Sequence, residues 1–136
     1  MLLLAATLTS CASTQSPYAN LTPCGPYHPG PRPTEQELES GEFVDAKLIG
    51  SPRDFRERAN FDTPIRTRGE VLMSEVEFLI DINGCVREMK VVRNDHQAVT
   101  DALLRGLGTS RFQPAMLNGE PVEVVRIRGM SWHTSR

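Results

Sequence analysis

Between Val71 and Ile82 the chain alternates. Val76, Phe78, Ile80 and Ile82 are separated by Glu75, Glu77 and Asp81. A period of two predicts a strand with one buried and one wet face. Asn83-Gly84 follows, a strong hairpin signal because both residues tolerate positive φ. A return strand is predicted over Val86 to Arg93, with Met89 and Val91 inward and Glu88 and Lys90 outward. The period then lengthens. Val99, Leu103 and Leu107 lie four apart, predicting a short helix over Asp101 to Gly108, N-capped by Thr100, with Asp101 favourable in its first turn. Gly106 and Gly108 weaken that helix by up to about 1 kcal/mol each relative to alanine. A second turn, Asn118-Gly119, opens a last strand from Pro121 to Trp132, where Val125 and Ile127 alternate with Arg126 and Arg128. The predicted fold is therefore α+β: a small three-stranded antiparallel sheet in ββαβ order, with one or two short helices on one face.

Upstream the pattern is weaker. Pro52 to Ala59 reads as a helix, with Phe55 and Ala59 on one face, and Asn60 to Gly69 as a connection broken by Pro64. Glu42 to Ile49 is compatible with a short strand or a loop. Thr34-Glu35-Gln36-Glu37 has capping-box spacing. Six of the ten prolines fall between Pro17 and Pro33. Such a segment favours extended, solvated backbone, because each proline fixes φ and lacks a donor. The expected organisation is a signal over 1–11, a Pro-rich tether and irregular segment over 12–50, and a folded domain over 51–136.

A formal charge of −2 over 136 residues argues against nucleic acid as the partner, which needs a concentrated basic face. Arg53, Arg56, Arg58, Arg66 and Arg68 cluster, but Asp54, Glu57 and Asp62 interrupt them, as on a solvated helix or linker. No catalytic or cofactor constellation emerges. His28, His96 and His133 are scattered, and Cys24 with His28 makes too small a set for zinc. Cys85 with His96 lacks an orienting third group. Asp81 beside Asn83-Gly84 reads as turn chemistry, Glu75 and Glu77 as solubilising charges, and Trp132 as an edge or core filler or a partner anchor. The chain is expected not to be an enzyme, and to hold no cofactor or metal.

Met1 to Leu8 is almost wholly apolar, and Leu8-Thr9-Ser10-Cys11 resembles the lipobox of bacterial lipoproteins. That resemblance implies lipidation at Cys11 and a periplasmic domain anchored to a membrane. Ala12 after the cysteine implies the outer one. No Lys or Arg precedes the apolar run, and a start upstream of Met1 is the alternative. An oxidising compartment would permit a disulfide between Cys24 and Cys85, against two free or partly buried thiols.

The second half resembles the TonB C-terminal domain family. The pieces that carry the resemblance are Gly69-Glu70-Val71, the hairpin Asp81 to Gly84, the strand Val86 to Arg93 and the helix Thr100 to Leu107. Arg111-Phe112-Gln113-Pro114-Ala115 and Gly119-Glu120-Pro121-Val122 complete them. Ser110 departs from the pattern, and so does Phe55-Arg56, where the family's first helix has an aromatic-proline motif. The resemblance implies non-catalytic binding of an extended peptide of an envelope protein, such as an outer-membrane receptor, by strand addition along the final strand. The implied edge is Val122, Val124, Val125, Arg126, Ile127, Arg128 and Trp132. Two alternatives stay open. One is a TonB-type energy transducer or transport accessory with a different N-terminus. The other is a structural envelope protein that forms a homodimer through its edge strand.

Overall fold

The computed structural model describes residues 21–60, 69 and 71–133. Cys11 and its lipobox lie outside the described residues, as do Arg66 and Arg68. In chain order the elements are α1 (Glu35–Ser40), β1 (Phe43–Val44), β2 (Lys47–Leu48), α2 (Pro52–Ala59), β3 (Val71–Ile80) and β4 (Val86–Asn94). Then come α3 (Gln97–Gly108), β5 (Phe112–Gln113), β6 (Ala115–Leu117), β7 (Glu120–Val122) and β8 (Val124–His133). The class is α+β, with a three-stranded antiparallel sheet and short helices.

That main sheet has the order β4-β3-β8. The alternation read from β3 holds over Leu72, Ser74, Val76, Phe78 and Ile80, all buried, but Leu79 and Asp81 on the expected wet side are buried too, and Ile82 lies beyond the strand. Val76, Phe78 and Ile80 meet Ala102, Leu103 and Leu107 of α3 and Phe55 and Ala59 of α2 in one core. Burying Leu103 and Leu107 contributes about 1.5–3 kcal/mol each. Ser74 and Thr100 are buried within this apolar set and bond each other at 2.7 Å, which removes the cost of two orphaned hydroxyls.

The helix α3 starts a turn earlier than its apolar spacing suggested. His96 is the N-cap, its ring Nδ1 accepting from the Ala98 amide at 3.2 Å. Thr100 is not the cap; it lies inside the helix, and its hydroxyl also donates to Asn94. At the β3–β4 turn Gly84, but not Asn83, takes positive φ (78°). The Asp81 carboxylate accepts from the amides of Asn83 and Cys85, both at 2.9 Å, and from Arg87 Nε at 3.0 Å. Those bonds hold the turn closed. At the second turn Asn118 and Gly119 both have positive φ, 52° and 81°, as a tight hairpin requires.

The segment read as strand or loop is paired. Phe43 and Val44 face Leu117 and Met116, and Lys47 and Leu48 face Gln113 and Phe112. Residues 43–48 thus run antiparallel to 112–117 and add to the domain rather than lead into it. The predicted closing strand from Pro121 to Trp132 is in fact two strands. Val122 pairs with Ala115 in β7, Glu123 separates the two strands, and β8 begins at Val124.

Candidate functional site

The two margins of the main sheet differ in a way that follows from backbone register. Along β3–β8 the pairing runs unbroken over ten residues, from Val71↔His133 to Ile80↔Val124. Along β3–β4 it shifts twice, between Glu75 and Val76 and between Glu77 and Leu79. At the second shift β4 carries an extra residue, and Glu88 sits at φ 50°. Bulges of this kind twist a strand out of line and blunt an edge against further pairing. Among the described residues β8 has no strand on its other side. It is the straight margin; β4 is the kinked one.

Cross-strand pairing also assigns the side chains of β8 to faces. Arg126, Arg128 and Met130 lie opposite Phe78, Val76 and Ser74, on the helix side. Val125 and Ile127 lie opposite Leu79 and Glu77, on the face without helices, and Ile127 is 64% exposed. The usual pattern of apolar in and charged out is inverted here. Glu75 and Glu77 share that helix-free face with Arg93 and Lys90, which sit directly across from them on β4. Such pairs add a few tenths of a kcal/mol and give the two glutamates cross-strand partners.

On the helix side, Arg126 reaches the carboxylate of Asp45, and its Nη1 donates to the Val125 carbonyl at 2.8 Å. The start of the margin is therefore closed by the chain's own groups. The Arg128 guanidinium lies 4.1 Å from the centroid of the Phe55 ring, and that of Arg58 lies 5.9 Å from the same ring. Two cations thus share one aromatic. Burial and then the nearby Arg58 charge hold Arg128 below its ordinary value.

Of the residues predicted to form the edge, Val125, Arg126, Ile127, Arg128 and Trp132 all belong to β8. Val122 does not: its pairing with Ala115 places it in a second small sheet, of order β1-β6-β7, and its side chain is buried in the core. Val124 heads β8, but its side chain is buried in the core. The apolar alternation ran through Val122 and Val124 without marking the break, because both sides of Glu123 present valines. Met89 and Val91 do point toward the helix side, Val91 opposite Val76, yet both stay about two-fifths exposed. They lie at the margin of the sheet, where Met89 Cε comes within 3.7 Å of the place a Cβ on Gly108 of α3 would take.

The Pro-rich leader is not free of the domain. Cys24 and Cys85 form a disulfide, with Cα atoms 6.1 Å apart. The Tyr27 hydroxyl donates to Glu123 at 2.5 Å, the Pro31 carbonyl accepts from the Glu123 amide at 2.8 Å, and Arg32 lies 3.8 Å from the same carboxylate. Glu123 is almost fully buried. Sequence reading missed it, since a glutamate between valines looks like a wet-face residue. Arg87 and Arg111 donate to the leader carbonyls of Gly25 and Thr22. Between leader and hairpin lies a cleft of about 590 Å³, lined by these arginines and by the bridge.

Among the described residues no group of three His, Cys, Asp or Glu is placed to hold a metal ion, and no helix is long and apolar enough to cross a membrane. His28, His96 and His133 sit in the leader, at the α3 cap and at the end of β8. The structure does not bring them together. The chain matches no family model and no curated protein sequence.

Proposed function

We propose that the chain is a non-catalytic protein-binding module that takes up an extended segment of a partner by strand addition along the outer margin of β8. One observation carries this: β8 keeps a regular ten-residue register on one side and has no strand on the other among the described residues. Such a strand offers backbone donors and acceptors on its open side, and an incoming strand gains about 0.5–1.5 kcal/mol net for each bond it makes. The contrast with the bulged β4 margin selects β8. The order of motifs that resembles TonB C-terminal domains supports the same use.

The setting fits a cell envelope. A bridge between Cys24 and Cys85 suits an oxidising compartment. Together with the lipobox-like Leu8 to Cys11 it supports a periplasmic domain, lipid-anchored through Cys11, with the outer membrane as the favoured site. A homodimer formed edge to edge through β8 is the weaker alternative. In registers centred near Ile127 it sets arginines of one copy against those of the other.

Amide hydrogen exchange tests the proposal. With a captured envelope peptide bound, alternate amides between Ile127 and Ser131 become protected while those of β4 do not change. Protection confined to β4, or none on β8, overturns it.

A further inference from the structure

Among the described residues, one charge on the margin of β8 has no anion beside it. Among the described residues no carboxylate pairs with Arg128, and no acceptor takes a hydrogen bond from it. Its contact is the Phe55 ring, and its charged neighbour is another cation, Arg58. Partly buried arginines are generally paired, because desolvation without an anion is unfavourable. A guanidinium stacked on an aromatic face keeps its N–H edge available for a carboxylate. Arg126, two residues earlier on the same side, already has Asp45. Among the described residues, Arg128 is thus the cation on this margin without an anion.

The opposite face of the same strand has the other half of the pattern. Ile127 is exposed there, and Gly129, also on that face, has no side chain and lies across from Glu75, whose Cγ is 3.6 Å from the place a Cβ would take. In an added strand, the residue beside Arg128 projects to the helix side, and its two neighbours project to the face of Ile127 and Gly129.

Resting on the strand-addition reading, we propose that the partner segment carries an Asp or Glu opposite Arg128, flanked on both sides by apolar residues. The acidic side chain meets the guanidinium edge; the flanking residues cover Ile127 and lie over Gly129. An apolar–acidic–apolar strand is the chemistry that this margin complements.

The test uses the full chain, with the Cys24–Cys85 bond formed, and three short Thr/Val strand peptides that differ only at a central Glu, Gln or Lys. Calorimetry measures their dissociation constants at low and high salt. The Glu peptide is expected to bind roughly tenfold more tightly than the Gln peptide at low salt, as a charge-assisted bond implies. The Lys peptide is expected to bind most weakly. Arg128→Gln is expected to remove the advantage of the Glu peptide over the Gln peptide. Arg128→Lys, which keeps the charge, is expected to retain part of the advantage, and circular dichroism confirms that both variants fold. Equal binding of the Glu and Gln peptides overturns the acidic preference and leaves strand addition standing. Failure of all three to bind overturns both.

Discussion

The hydroxyl of Tyr27 donates to the carboxylate of Glu123 across 96 residues of sequence, and together they fasten the leader to the junction of β7 and β8. Because that carboxylate is buried and its side-chain partners are leader residues, leader and domain hold each other in place. Glu123→Ala is expected to cost about 1–3 kcal/mol, the cost of leaving buried polar partners unmatched. Denaturant midpoints check this, and limited proteolysis is expected to cut the leader of the variant faster.

The same bond makes the leader sensitive to alkali. Accepting the hydrogen bond, Glu123 raises the Tyr27 phenol above its ordinary value of 10.0, and burial adds to the shift. A raised value in the folded state means that the stabilisation is complete below pH 10 and is lost as pH climbs through the raised value. Ultraviolet titration of the phenolate in Tyr18→Phe, which leaves Tyr27 as the one tyrosine, is expected to show a midpoint above that of a free phenol. An ordinary midpoint contradicts the bond.

The Cys24–Cys85 bridge spans a sequence separation of 61. In the chain-entropy model a loop of that size is worth about 4 kcal/mol. Reduction, or Cys24→Ser, is expected to lower stability by up to that amount with β3, β4 and β8 still formed, because neither cysteine belongs to the main core cluster. Urea unfolding with and without reductant, followed by circular dichroism, measures both.

Two glycines of α3 are expected to respond in opposite directions to alanine. At Gly106 a Cβ would lie 2.6 Å from Cζ of Phe55, so Gly106→Ala pushes α2 away and is expected to cost about 1–3 kcal/mol. At Gly108 the nearest atom, Met89 Cε, lies at 3.7 Å. Gly108→Ala is therefore expected to stabilise by up to about 1 kcal/mol through helix propensity alone. Thermal melts of the pair decide; equal shifts would mean that Phe55 does not press on α3.

Acid is expected to loosen the start of the β3–β4 pair. The Asp95 carboxyl is held below its ordinary value first by its bond to Arg93 and then by the Met73 amide. A lowered value gives stability that is present above the unfolded value of 3.8 and is lost as pH falls through the folded one. The Met73 amide is expected to exchange faster on acidification, relative to its intrinsic rate, and Asp95→Asn is expected to flatten that dependence.

What the sequence disclosed follows the range of the interactions involved. The strand through Val76, Phe78 and Ile80 was plain, because alternation is local and its face is buried along the whole length. The hairpin turns were plain for the same reason. The cap of α3 was misplaced because Thr100 has the chemistry of a cap but is engaged with Ser74, a partner 26 residues away. The leader read as solvated because prolines cannot donate. Yet they still accept, as Pro31 does from Glu123, and Gly30 lets the backbone approach Ile82. At the candidate edge the strand itself was legible. The isolation of Arg128 over Phe55 was not, since it depends on how α2 lies against β8.

The twice-kinked β4 has a consequence for assembly. A sheet becomes a fibre when each newcomer leaves an equivalent border for the next, and here one border is bent out of register. Under the strand addition proposed at β8, the bent border of β4 offers no equivalent place for a second guest.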